Sequence, residues 1–207
     1  MLMKSQNINI HINNLTKAYT KEKGIFDLNL EFNSGGINLL VGSNGSGKST
    51  LLKCIMKLVK YSGTIEKKKL RIGYAPEIYI MPEFFTVEEF LCNIGRIKGL
   101  DKTLSKENSI DFYNLLDLEK YRNKQIKTLS NGTKQKVNLI QALIHHPKII
   151  ILDEPLISLD YESQKKLSKY LIDISKTNLV IISTHNPEKF NTRLKTIFHL
   201  ENGKLNE

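Results

Sequence analysis

An α/β fold, with a parallel core sheet, a β-rich start and a helical insert, is the class that this 207-residue sequence predicts. Three observations carry it. Ile149–Leu152 and Leu179–Ile182 are continuous apolar runs, the texture of parallel strands covered on both faces. A helical pattern between Ser163 and Ile174 separates them. A glycine-rich turn, Gly42–Thr50, joins the apolar run Ile37–Val41 to a helical pattern, the strand–loop–helix order of an α/β unit.

The elements follow in order. Alternation at Ile8, Ile10 and Ile12, then at Leu28, Leu30 and Phe32, predicts two half-buried antiparallel strands. After the strand Ile37–Val41 and its glycine-rich turn, a helix is expected to run to about Lys60. Gly63-Thr64-Ile65 and Leu70–Ala75 read as short strands, the second ended by Pro76, and Lys67-Lys68-Lys69 as a solvated turn between them. The middle is helical. Thr86-Val87-Glu88-Glu89 is a capping box, and a further helical pattern passes through Ile110, Leu115 and Leu116. Thr196–Leu200, Asn202-Gly203 and Lys204-Leu205 form a hairpin signal. The expected organisation is one unit, 1–207, with a helical subdomain at about 77–146.

Composition bounds the function. At 40% hydrophobic and 25% charged the chain can bury one sizeable core. No apolar run approaches the roughly 18 residues of a membrane span, and Met1–Asn9 lacks the apolar stretch of a secretion signal. A cytoplasmic place is expected, with any membrane work done through a partner. Cys54 and Cys92 lack metal-site spacing and read as small core hydrophobes. The net charge of +10 is spread mainly as lysine along the chain, so no nucleic-acid partner is expected; it suits nucleotides or an anionic membrane surface.

Chemistry concentrates at three places. Gly42, Ser43, Asn44, Gly45, Ser46, Gly47, Lys48 and Ser49 match G-x-x-x-x-G-K-[ST], and Thr50 completes the loop. Glycines let successive N–H groups turn inward onto phosphate oxygens, and the helix that follows points its positive end at them. Lys48 can reach the β- and γ-phosphates, and Ser49 can complete a Mg²⁺ shell. Asp153 and Glu154 end a buried strand, the sheet edge where α/β ligands bind; Asp153 suits Mg²⁺ and Glu154 suits polarising a water for attack on the γ-phosphate. Ser130-Asn131-Gly132 precedes an apolar helix (Val137, Ile140, Leu143, Ile144), a second anion-binding helix start or an ordinary serine cap.

Together these motifs resemble an ATP-binding cassette (ABC) ATPase, in that family's order and over nearly the whole chain; the implied architecture is its P-loop NTPase fold. The resemblance implies further roles. Tyr19 would stack on adenine, unless it is simply packed. Glu77, after Gly73-Tyr74-Ala75-Pro76, takes the place of the family's Q-loop glutamine, near Mg²⁺. Ser130 and Gly132 match the signature that contacts ATP bound to a second copy. Asp160, in Ser158-Leu159-Asp160, resembles the D-loop aspartate, and His185 the switch histidine that contacts the γ-phosphate. The chain departs from the family pattern at Asn131, where the signature has glycine, at Thr133, where it has glutamine, and at Glu77. Asn131 is tolerable if unusual backbone angles are needed there. Both Thr133-Lys134-Gln135-Lys136 and Glu77 resemble bacterial export-type members.

The resemblance implies ATP and Mg²⁺ as ligand and cofactor, hydrolysis, a second ABC ATPase subunit facing head to tail, and a polytopic membrane permease. Ile78–Phe85, apolar for a loop, would help receive that permease or would pack the helical subdomain. The leading function is the ATPase subunit of an export transporter, peripheral on the inner face of the membrane. A soluble ABC ATPase of translation or cofactor assembly is the alternative; a small-molecule kinase would leave Ser130, Asp160 and His185 unexplained.

Overall fold

The computed structural model describes residues 7–206; the ends of the expected unit, residues 1–6 and 207, lie outside them. The strands are β1 (Asn9–Ala18), β2 (Gly24–Asn33), β3 (Ile37–Val41), β4 (Ser62–Lys67), β5 (Ile72–Ala75), β6 (Ile149–Asp153), β7 (Leu179–Thr184), β8 (Lys195–Glu201) and β9 (Lys204–Asn206). The helices are α1 (Lys48–Ile55), α2 (Val87–Ile97), α3 (Lys102–Leu116), α4 (Asn131–Leu143) and α5 (Tyr161–Ser175), with short 3₁₀ turns between some of them.

Among the described residues these strands form two sheets, β2-β1-β4 and β5-β6-β7-β3-β8-β9. The first is antiparallel, with Ile10 opposite Phe32 and Ile12 opposite Leu30. The second is parallel except for its last pair, β8–β9. Asn202 and Gly203 both take positive φ in that hairpin turn, the conformation an Asn-Gly pair favours.

The parallel strands are apolar on both faces because both faces are covered. Successive side chains point to opposite sides of a strand. Leu39, Ile150, Leu152, Val180 and Ile182 accordingly enter a core shared with α2 to α5, while Leu40, Ile149, Ile151, Leu179 and Ile181 enter one shared with α1 and the antiparallel sheet. Cys54 and Cys92 are buried and free, and burial pushes the Cys54 thiol up to about 11. The capping box at α2 forms: Glu89 N–H donates to Thr86 Oγ1 at 3.2 Å and Thr86 N–H donates to Glu89 Oε2 at 2.8 Å.

Two expectations change. Helix α1 ends at Ile55, well short of Lys60, because Lys57 turns to φ 57°. Lys67 is not a solvated turn residue; its Nζ crosses from β4 to donate to the Ile55 carbonyl at 2.7 Å, a cation on the helix's negative end.

Candidate functional site

Strand register gathers the site. Val41 lies opposite Thr184, and Asp153 opposite Ser183. The residues just past these strand ends, Gly42, Glu154 and His185, therefore meet at one edge of the sheet.

The glycine-rich turn leads straight into α1. Gly47 occupies the capping position at φ 108°, and no side chain caps the helix. The first N–H groups of α1 are thus left for a ligand. A Cβ on Gly47 would also sit 2.7 Å from Ile25 Cγ2, so space as well as backbone angle requires glycine. Lys48 is buried, and its Nζ donates to the Gly42 carbonyl at 2.7 Å and to the Ser43 carbonyl at 3.2 Å. The Ser46 carbonyl accepts from Gly203 N–H at 3.0 Å, which ties the loop to the β8–β9 turn. Tyr19, Asn44 to Thr50, Glu77 and Glu154 line one groove of about 460 Å³. Tyr19 is 54% exposed there, with Lys17 Nζ 4.9 Å from its ring centre; it is not a packed core tyrosine.

The carboxylate pair is held from below. Ser183, fully buried, donates through Oγ to Asp153 Oδ1, and the same Oγ accepts from Glu154 N–H at 2.9 Å. Glu154 takes φ 48°, left-handed and unusual outside glycine, which turns its side chain back over the strand ends. Its Oε2 lies 2.9 Å from His185 Nδ1. Its Oε1 is buried without a hydrogen-bond partner, 3.7 Å from Lys48 Nζ. An unpartnered carboxylate oxygen beside a lysine, at the wall of the groove, can accept a proton or hydrogen bond from a molecule bound there.

Ser130, Gly132 and Asp160 lie elsewhere, together lining a separate groove of about 430 Å³. Ser130 caps α4, accepting from Thr133 N–H at 3.2 Å. Asn131 takes ordinary helical angles, so no unusual conformation is asked of it. Gly132 is the constrained position: a Cβ there would lie 2.4 Å from the Ser158 carbonyl oxygen. Asp160 caps α5 by accepting from Ser163 N–H at 2.8 Å, and it pairs with Lys136 at 3.0 Å. Those two partners hold its carboxyl well below the usual aspartate range.

Ser183 and Lys136 are the residues that motif reading passes over. A serine inside an apolar strand beside the Asp153 strand was the available signal for the first; the i, i+3 spacing of Thr133 and Lys136 on α4 says nothing of Asp160.

The donor set suits Mg²⁺. Ser49 and Asp153 offer a hydroxyl and a carboxylate, the hard oxygens this ion takes alongside phosphates and water. Among the described residues no group of three or more His, Cys, Asp or Glu forms an all-protein metal cage.

Comparisons with known proteins converge. An ABC transporter ATP-binding protein of Methanocaldococcus jannaschii is 33% identical over 198 residues, covering 94% of this chain and 75% of that protein. ABC transporter G family member 23 of Dictyostelium discoideum is 34% identical over 97% of this chain, which spans only 30% of that longer protein. In fold, the chain is similar to a dimeric post-hydrolysis state of an ATP-binding cassette bound to ADP and Pi, with a TM-score of 0.84 at 22% identity over 96% of this chain and 97% of that one. Among the described residues no helix is long and apolar enough to cross a membrane. With residues 25–157 matching the family model for ABC transporter, the chain belongs to the ABC transporter family, as an ATP-binding and ATP-hydrolysing domain.

Proposed function

We propose that this chain is the ATPase subunit of an export-type ABC transporter, working head to tail with a second copy or a related subunit and driving a separate polytopic permease. The observation that carries the pairing is the separation of two half-sites. Lys48, Glu77 and Glu154 share one groove, while Ser130 and Gly132 face another on the same chain. A second subunit would bring its Ser130 and Gly132 to the phosphates held by the first. The whole unit, 1–207 with its helical part at 77–146, would then act as one cassette.

In this reading ATP lies in the 460 Å³ groove with its phosphates on the N–H groups at the start of α1. Tyr19 offers the adenine a ring face. Lys48 Nζ turns from the Gly42 and Ser43 carbonyls to the β- and γ-phosphate oxygens. Glu154 takes a proton from the attacking water through its free Oε1, while His185 on Oε2 fixes the carboxylate and faces the γ-phosphate. Ser49 and Asp153 would hold Mg²⁺, with Glu77 beside it; the ion, when bound, neutralises charge on the phosphate oxygens. Hydrolysis removes the γ-phosphate that both subunits grip, so the pair loosens.

The membrane connection rests on the segment after Glu77. Tyr79 and Met81 pack inward, whereas Ile78, Ile80 and Phe84 stand out at 86%, 98% and 74% exposure. Apolar side chains held outward in this way suit a partner surface, here the permease's cytoplasmic face. That contact would place the chain on the inner side of the membrane. The export direction is supported by Glu77 and the Thr133–Lys136 run, which resemble export-type members.

Two measurements test the proposal. Glu154→Gln protein in saturating Mg-ATP should run as a dimer by light scattering; a persistent monomer overturns the pairing. The chain should co-purify with a polytopic membrane protein from solubilised membranes. Association with ribosomes alone would overturn the transport role in favour of a soluble ABC ATPase.

A further inference from the structure

Among the described residues strand β5 lies at the edge of its sheet, paired only with β6. Edge carbonyls on alternate residues face away from the sheet and need partners. Here one helix supplies them. Asn138 Nδ2 donates to the Pro76 carbonyl at 2.9 Å, and Gln141 Nε2 donates to the Tyr74 carbonyl at 2.8 Å. His145 Nε2, just past the end of α4, lies 3.2 Å from the Ile72 carbonyl. Burial holds that imidazole down to about 4, so it is neutral and can donate. A Cβ on Gly73 would sit 2.0 Å from the Ala142 carbonyl oxygen, so helix and strand meet backbone to backbone.

The same amides also bond head to tail along α4. Gln141 Nε2 donates to Asn138 Oδ1 at 3.3 Å, and Asn138 Nδ2 donates to Gln135 Oε1 at 3.3 Å. Gln135 Nε2 then leaves the helix to donate to the Pro155 carbonyl at 3.3 Å. Gln135 and Asn138 are buried, at 5% and 1% exposure, so water cannot replace what they bond. Their spacing of three puts them on one face of α4.

The ends of this ladder fall beside the chemistry. Pro76 precedes Glu77, and Pro155 follows Glu154. The helix that carries the ladder begins at the Ser130–Gly132 groove. We propose that Gln135 and Asn138 are positioning residues for ATP hydrolysis: through the Pro76 and Pro155 carbonyls they set Glu77 and Glu154 against the N-terminus of α4. This rests on the assignment of Glu154 and Glu77 to the ATP site. Apolar side chains in these places would fill the space but leave helix and strand free to slip along each other. Directional amides allow one register, and a slip breaks several buried hydrogen bonds at once. A displacement of the Glu77 segment is therefore passed to α4 and on to the Glu154 turn.

The test compares near-isosteric variants of the full-length chain. In Gln135→Met and Asn138→Leu, kcat should fall by roughly tenfold to a hundredfold, the scale of a misplaced catalytic group. KM for Mg-ATP and affinity for a fluorescent ATP analogue should hold within about twofold. Amide hydrogen exchange should quicken at 77–79, at Glu154 and at 156–158. Gln141→Met, which breaks an amide rung farther from both carboxylates, should change none of these by more than about threefold. Parental kcat and exchange in Gln135→Met and Asn138→Leu would overturn the proposal. So would equal losses in all three variants, or a loss matched by lost nucleotide affinity, because a helix that is merely seated on the sheet predicts both. Glu154→Gln, assayed alongside, separates the two levels: parental turnover there removes the site assignment itself, whatever the ladder variants do.

Discussion

At the start of α1 the capping position is glycine, left-handed and without a side-chain oxygen; at the start of α4 it is Ser130, whose hydroxyl already accepts from Thr133 N–H at 3.2 Å. Both helix starts carry a glycine and hydroxyl residues, and the sequence offers both as anion sites, the second with an ordinary serine cap as the alternative. Their construction differs. The α1 terminus has no side-chain cap, so phosphate oxygens are the natural partners of its N–H groups. The α4 terminus is capped by its own serine, with the Asp160–Lys136 pair among the residues lining its groove. The first leaves its N–H groups for a ligand, whereas the second satisfies one of its own and, in the proposed pairing, would meet a ligand held by the other subunit.

The largest effect that would break this distinction comes from the glycines. Gly47→Ala puts a Cβ against Ile25 at a strained φ of 108°. It should abolish nucleotide binding by the single chain, read by equilibrium titration with a fluorescent ATP analogue. Gly132→Ala presses on the Ser158 carbonyl instead and should leave that titration unchanged while ATP turnover collapses. Equal binding losses in both variants would erase the difference between the two helix starts.

A smaller effect sharpens it. Ser130→Ala removes the α4 cap and should cost about 1 kcal/mol of stability by chemical denaturation. It should spare nucleotide affinity of the single chain, since Ser130 does not line the Lys48 groove.

The smallest concerns pH. Asp160 is held below its ordinary value by the Ser163 N–H and Lys136. A depressed carboxyl stabilises the fold above its unfolded value of about 4, and that contribution is lost as the pH falls below it. The melting-temperature gap between the parent and Asp160→Asn should therefore be present at about pH 6 and shrink toward pH 2. A gap that does not change with pH would assign Asp160 to capping by shape alone.

Local and periodic features were legible in the sequence. The core strands announce themselves by apolar runs, the α2 capping box by four residues, and the Lys48 loop by spacing. Even the fold class follows from these. What stayed hidden depends on groups far apart in the chain meeting in space. No local signal at Lys67 says that it will cross to the end of α1, and none at Lys57 says that the helix will stop there. Ser183 reads as an interruption of an apolar strand until register sets it under Asp153 and Glu154. The apolar 78–85 loop allows two readings because its side chains divide: Tyr79 and Met81 pack while Ile78 and Ile80 stand exposed.

The left-handed backbone at Glu154 has an evolutionary consequence. Glutamate is poorly suited to φ 48°, whereas glycine or asparagine sits there with less strain. Glycine or asparagine at this position would thus relieve strain while removing the carboxylate, so in the proposed reading it is selection on turnover that keeps glutamate in place. Duplicated copies freed from that selection should lose position 154 early and keep the fold, becoming nucleotide-binding partners that pair with an active copy without hydrolysing.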